Sequence, residues 1–206
     1  MYMILILAVE LTKANYVKGS DYMKNKGFTL VEVLAMLVVL GIIVGITMPN
    51  ITGILENQKV NTIIGDAKKM ISSAKTEVSV NENIILPKDT YSCIILPLDL
   101  IDKSSDIKAD ADDEEYDRYN SFVLITKEFK QYKYHVRLTA KRSDDKYYGI
   151  LDATESDLSH DDTSYIKEFS SSHFYSIKKG DTSINFEGSS DIFNELCKNQ
   201  TIIVSK

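Results

Sequence analysis

Hydrophobic positions change their spacing twice along the chain. From Phe28 to Met48 they run almost unbroken, about 21 residues without Lys, Arg or Asp. At about 1.5 Å per residue, a helix of that length crosses a hydrocarbon core of about 30 Å. From Ile51 to Val78 the apolar residues recur at spacings of three and four: Ile51, Ile54, Leu55, Ile63, Ile64, Ala67, Met70, Ile71, Ala74 and Val78 form one stripe. Glu56, Lys59, Asp66, Lys68, Lys69, Lys75 and Glu77 fall mostly off that stripe, as a solvated face should. The helix is expected to end near Asn81, with Pro87 preventing its continuation. Beyond Pro87 the period shortens to two. "QYKYHVRLTA" alternates Tyr132, Tyr134, Val136 and Leu138 against Lys133, His135, Arg137 and Thr139, which predicts a half-buried strand. "NSFVLIT", "YYGILDA", "HFYSIKK", "SINFEG" and "TIIVSK" read as strands too, and "SDIFNELCKN" as a short helix.

A long helix followed by hairpin-connected strands gives an α+β class. The helix spans a membrane in its first half, residues 28–48, and lays the stripe of its second half on one face of an antiparallel sheet. Residues 28–80 form the helix and residues 81–206 the globular head. Tight connections such as "RSDDK" suit antiparallel hairpins. Lys24 and Lys26 precede the apolar run, and the bias of such charges to the cytoplasmic side places the head outside the cell.

Charge narrows the function. A formal net charge of -6 and a pI near 5.1 leave no basic field to collect nucleic-acid phosphates, so direct nucleic-acid binding is not expected. The acidic run "DIKADADDEEYD", Asp106 to Asp117, has the oxygen ligands calcium favours but lacks the EF-hand glycine and terminal glutamate, so a solvated loop is expected. His135, His160 and His173 are too scattered to predict a zinc site. No phosphate-binding glycine loop, nucleophile elbow or paired Cys/His motif occurs, so neither a catalytic site, a metal nor a cofactor is expected. Cys93 and Cys197 are the only cysteines. An exported head allows a bridge between them, and two buried thiols are the alternative.

Glu32 stands out because an ionised carboxylate in a membrane costs a few kcal/mol. A cut between Gly27 and Phe28 would place a new α-amine four residues before it, on the same helical face, with the acid in the first turn where the helix dipole favours negative charge. In an assembly that amine could come from a neighbouring chain. Further along, Gly41 and Gly45 form a G-x-x-x-G pair that lets another helix approach closely in lipid. Pro49 presses on the carbonyl of Gly45, so a kink is expected there.

"KGFTLVE" followed by a long apolar helix resembles the N-terminal signature of type IV pilins and pseudopilins. The resemblance covers roughly Lys24 to Pro49. It implies cleavage at Gly27|Phe28 by a prepilin peptidase, N-methylation of Phe28 and a charge contact at Glu32. Gly41 and Pro49 stand at the family's glycine and proline positions, between which the helix can extend in assembled filaments. On this reading residues 1–27 are a leader. Pilin leaders are usually short and basic, whereas residues 1–22 begin with an apolar stretch; Met23 is the expected start, leaving "MKNKG" as the leader.

The resemblance implies a structural subunit, held in the membrane as a single-pass precursor and then polymerised through its N-terminal helix into a surface pilus. Its implied partners are other pilin subunits, the peptidase, an assembly ATPase and a membrane platform protein. A pseudopilin of a type II secretion or DNA-uptake system shares the same N-terminus. A monomeric membrane-anchored binding module is the reading from another class.

Overall fold

The computed structural model describes residues 29–110, 112, 114–159 and 163–205, and of residues 46–55 the backbone alone. A helix, α1, runs from Leu30 to Val80, followed by a head of short strands. The chain divides into two compact units, residues 1–48 and 49–206. In the second unit, β1 (Cys93–Pro97), a one-turn α2 (Leu98–Ile101), β2 (Phe122–Glu128), β3 (Gln131–Lys141), β4 (Lys146–Thr154), β5 (Ile166–Ser170), β6 (Ser183–Ile184) and β7 (Thr201–Ile203) follow in order. The strands form one sheet in the order β5-β4-β3-β2-β1-β7-β6.

The stripe of the second unit's helix packs as its spacing requires. Ile63, Ala67, Met70, Ile71 and Ala74 are buried against Ile94, Leu96, Val123, Ile125, Val136 and Leu138 of the three central strands. Adjacent strand residues point to opposite faces. Cys93, Ile95, Phe122 and Leu124 therefore face away from the helix, and there they meet Phe186, Phe193, Cys197 and Ile203. The chain after β5 folds back over that second face. The α+β class holds, but the sheet is covered on both sides in its centre.

Four expectations about the strands need correction. The sheet is mixed rather than antiparallel, because β7 pairs parallel to β1, Ile94 opposite Ile202; the return over the second face brings the chain in along that direction. "HFYSIKK" is not a strand. The edge strand is the preceding Ile166–Ser170, and Ser170 then caps a single 3-10 turn, while Phe174 packs against Tyr147 and Phe169 and Ile177 joins the second core. "SINFEG" yields only the two strand residues Ser183–Ile184, since Phe186 turns into the second core. The polar side of β3 is not solvated: His135, Arg137 and Thr139 are all buried beneath the returning segment.

Arg137 shows how charge is accommodated there. Its guanidinium donates to Asp191 through Nη1 at 3.0 Å and Nη2 at 2.7 Å, and its Nε donates to the Leu151 carbonyl at 3.1 Å. Neither side chain of the pair is exposed. The rings of Phe122, Phe174 and Phe193 surround the cation, 4.7–5.2 Å from Cζ to each centroid. Asp191 also accepts the backbone amides of Tyr175 and Phe193, so the ion pair is buried with its hydrogen bonds made.

The acidic run also docks rather than standing in water. Ile107 and Tyr116 are buried, Asp110 accepts from Arg142, and Asp112 pairs with both Lys59 and Arg142. Tyr116 donates its hydroxyl to Asp66, itself buried although it lies beside the solvated face of the helix. Burial first, and the Asp66 carboxylate second, hold the Tyr116 phenol far above its ordinary pKa. Among the described residues no cluster of His, Cys, Asp and Glu suits a metal ion.

One glycine is demanded by geometry. Gly149 in β4 has φ +138°, and a Cβ there would lie 2.2 Å from the Leu138 carbonyl oxygen, beside a register shift in β3.

Candidate functional site

The described part of the N-terminal segment begins at Thr29. Its carbonyl accepts the amides of Glu32 at 3.0 Å and Val33 at 3.2 Å, and its Oγ1 accepts the Glu32 amide at 3.3 Å. The same hydroxyl lies 3.5 Å from Glu32 Oε2. T-x-x-E spacing is that of a capping box, and here Thr29 starts the helix while holding the acid in its first turn. Sequence reasoning places Glu32 in the first turn facing a new amine; the structure adds Thr29 as its local partner. Gly27 and Phe28, at the expected cleavage and methylation site, lie outside the described residues.

From Leu30 to Gly45 every residue is exposed. Leu30, Val31, Val33, Leu34, Met36, Leu37, Val38, Val39, Leu40 and Ile42 are large apolar side chains facing solvent on all sides of the helix. Moving any one of these out of water is worth about 1.5–3 kcal/mol. A helix apolar all round belongs inside another apolar body, whether protein or lipid. Among the described residues no helix is long and apolar enough to cross a membrane. The span expected over residues 28–48 is thus not shown; Phe28 and the side chains from residue 46 to Met48 lie outside the description.

Gly41 and Gly45 are exposed, and a Cβ at either would meet nothing within 4 Å. Nothing within the described chain requires glycine there. Pro49 falls within the range of α1, which continues past it to Val80, and the division into two units lies between Met48 and Pro49. Its side chain is outside the description.

The cysteines are far from this segment in sequence. Cys93 at the start of β1 and Cys197 after the last 3-10 turn, Ile192–Glu195, are joined by a disulfide with Cα atoms 5.6 Å apart, closing a separation of 104 residues. A loop of that length gives about 4–5 kcal/mol of stabilisation in the chain-entropy account. The bridge staples the returning segment to the sheet.

Sequence reasoning missed Arg137 and Asp191 as a pair. Alternation put Arg137 on a solvent side, and no local signal links it to an aspartate 54 residues away. The aromatic residues Phe186 and Phe193, both outside the strands, were the available hint of a covered second face.

A family model for the prokaryotic N-terminal methylation motif matches residues 22–48. No curated protein and no solved structure matches the chain. The matched residues contain Gly27, Glu32 and both glycines of the exposed segment.

Proposed function

We propose that this chain, which carries the type IV pilin and pseudopilin signature at residues 22–48, is a pilin-like structural subunit polymerised through α1 into a surface filament. The observation that carries the reading is the uniformly exposed apolar surface of Leu30–Gly45 inside the matched motif. In the precursor, lipid covers it across residues 28–48. In the filament, neighbouring helices do.

A prepilin peptidase cuts at Gly27|Phe28 and Phe28 is N-methylated. The new amine of one subunit then meets Glu32 of another. Thr29 supports this step: the first turn already holds the Glu32 backbone, so docking orders little further chain. Gly41 and Gly45, which no intrachain contact demands, let helices approach closely. The chain is not a catalyst. An assembly ATPase and a membrane platform protein supply energy and direction, and the head lies outside the cell. The same motif serves pseudopilins of secretion and DNA-uptake machines, and the genes beside this one separate the two roles.

Glu32→Ala tests the reading. The expected result is a processed subunit that stays in the membrane fraction and is lost from filaments sheared off the cell surface. Unchanged sheared filaments would overturn it.

A further inference from the structure

The β2–β3 hairpin closes on Phe129 and Lys130, with Glu128 paired to Gln131. Phe129 has φ +54° and Lys130 does not adopt positive φ, a turn that favours glycine at its first central position. A bulky L-residue there is strained. The side chain is also 95% exposed, the most exposed large apolar side chain among the described residues. Two costs fall on one residue, and the ring stands out from the hairpin as a knob.

The other end of the central strands holds a hole. Where β1 and β7 end, a pocket of about 250 Å³ is walled by Pro97, Leu100, Tyr119, Ile177, Ile203 and Val204. Leu100, Ile177 and Ile203 are buried, so these walls belong to the core. The Val204 amide donates to the Ile95 carbonyl at 2.9 Å and the Ile203 amide to the Thr182 carbonyl at 2.8 Å, which fixes the strand side of the pocket. An apolar cavity of about 150 Å³ already accepts benzene, so this one has room for a phenyl ring. The rim carries both signs: Arg118 is held by Asp99, while Lys178, Lys179 and Asp181 make no ion pair among the described residues. Inside the rim the pocket offers apolar contact.

Topology sets knob and hole apart. Pro97 stands opposite Phe122, the first residue of β2, and Phe129 follows its last residue, Glu128. The seven residues of β2, at about 3.3 Å each, separate the two ends by about 20 Å, so one head cannot fill its own pocket with its own ring. The helix gives the direction. Lys59 pairs with Asp112 beside Arg142, just past the end of β3, whereas Lys75 Nζ lies over the Tyr134 ring near the start of β3. This half of α1 therefore runs with β2, and its C-terminal end is the knob's end. Copies polymerised through α1 all point one way, which directs the knob end of one head at the hole end of another. A contact between two different patches repeats head to tail and builds an open fibre rather than a closed dimer.

We propose that Phe129 of one copy seats in this pocket of a second copy, a contact between subunits additional to that of α1. It deepens the filament reading and rests on it for the common direction of the heads.

The test places p-benzoylphenylalanine at position 129 of the full chain, irradiates the cells, and reads by mass spectrometry the peptides joined in the chain's dimer band from sheared and membrane fractions. Joining to Leu100, Ile203 or Val204 of a second copy is expected. Ser205, exposed at the pocket, allows a blocking variant: Ser205→Trp fills the hole from its own rim and is expected to cut the dimer yield about tenfold, as loss of a central aromatic contact does. The proposal is overturned if irradiation gives monomer only, if the joined peptides avoid the pocket or belong to another protein, or if Ser205→Trp leaves the yield unchanged. Glu32→Ala keeps the two readings apart. Filaments that survive it overturn the α1 reading, whereas filaments lost to it, with no joining at the pocket in the parent chain, overturn only the contact of Phe129.

Discussion

The two halves of α1 differ in how much apolar surface they carry and in what surrounds it. In Leu30–Gly45 apolar side chains cover every side of the helix and all are exposed; in Ile63–Ala74 they are confined to one stripe, and that stripe is buried on the sheet. The contrast teaches that the second half is explained by this chain alone, whereas the first is explained only by something outside it. Spacing carries the difference: a stripe needs one partner surface, and an all-round apolar helix needs an enclosing one.

Substitutions sharpen the contrast, beginning with the head's most costly site. Arg137→Ala strands Asp191 without its cation among three aromatic rings, and a loss of about 3–5 kcal/mol in denaturant unfolding is expected. The helix halves themselves come next. Met70→Ala should cost about 2–5 kcal/mol by the same measurement, since it opens a cavity between helix and sheet. Leu37→Ala in the exposed half should change the unfolding of the head by less than about 0.5 kcal/mol while weakening detergent or membrane association. A matching loss at Leu37 would break the comparison.

The unequal legibility of the two regions has a physical cause. The motif matched at residues 22–48 and the stripe from Ile63 to Ala74 were readable because each is a local pattern, complete within a short stretch of sequence. The strands "NSFVLIT", "QYKYHVRLTA" and "YYGILDA" were readable for a similar reason, since hairpins join neighbours. The second face was not. His135, Arg137 and Thr139 look like a solvent side until Phe186, Asp191 and Phe193 return over them, and nothing near β3 announces that return. The parallel pairing of β7 with β1 depends on the same long-range path, whereas the edge strand Ile166–Ser170 pairs with its sequence neighbour β4. Thr29 is a different case: T-x-x-E is a local signal, hidden because the resemblance around it offered another role for Glu32.

Smaller effects test the head in finer detail. Phe129→Gly is expected to raise stability by up to about 1 kcal/mol, because the backbone at φ +54° suits glycine; a loss would show that the ring has a packing role within the head. The smallest effect concerns acid. Asp89 accepts from Ser92, Tyr91 and Asn199, and these hydrogen bonds, Ser92's first, hold its carboxyl below the usual carboxylate range. With a folded pKa below the unfolded one, its contribution is present above the unfolded value and is lost as pH falls through the folded value. Asp89→Asn should therefore flatten the acid limb of a melting-temperature profile slightly and leave its slope near neutral pH unchanged.

The central claim is that the exposed half of α1 is the assembly surface of a processed subunit. The mass of the N-terminal peptide, measured on protein sheared from the cell surface, tests it most directly. An N-methylated Phe28 as first residue is the expected result. A peptide beginning at Met1 or Met23, found only in the membrane fraction, would contradict the claim, leaving Leu30–Gly45 as the anchor of a monomeric protein.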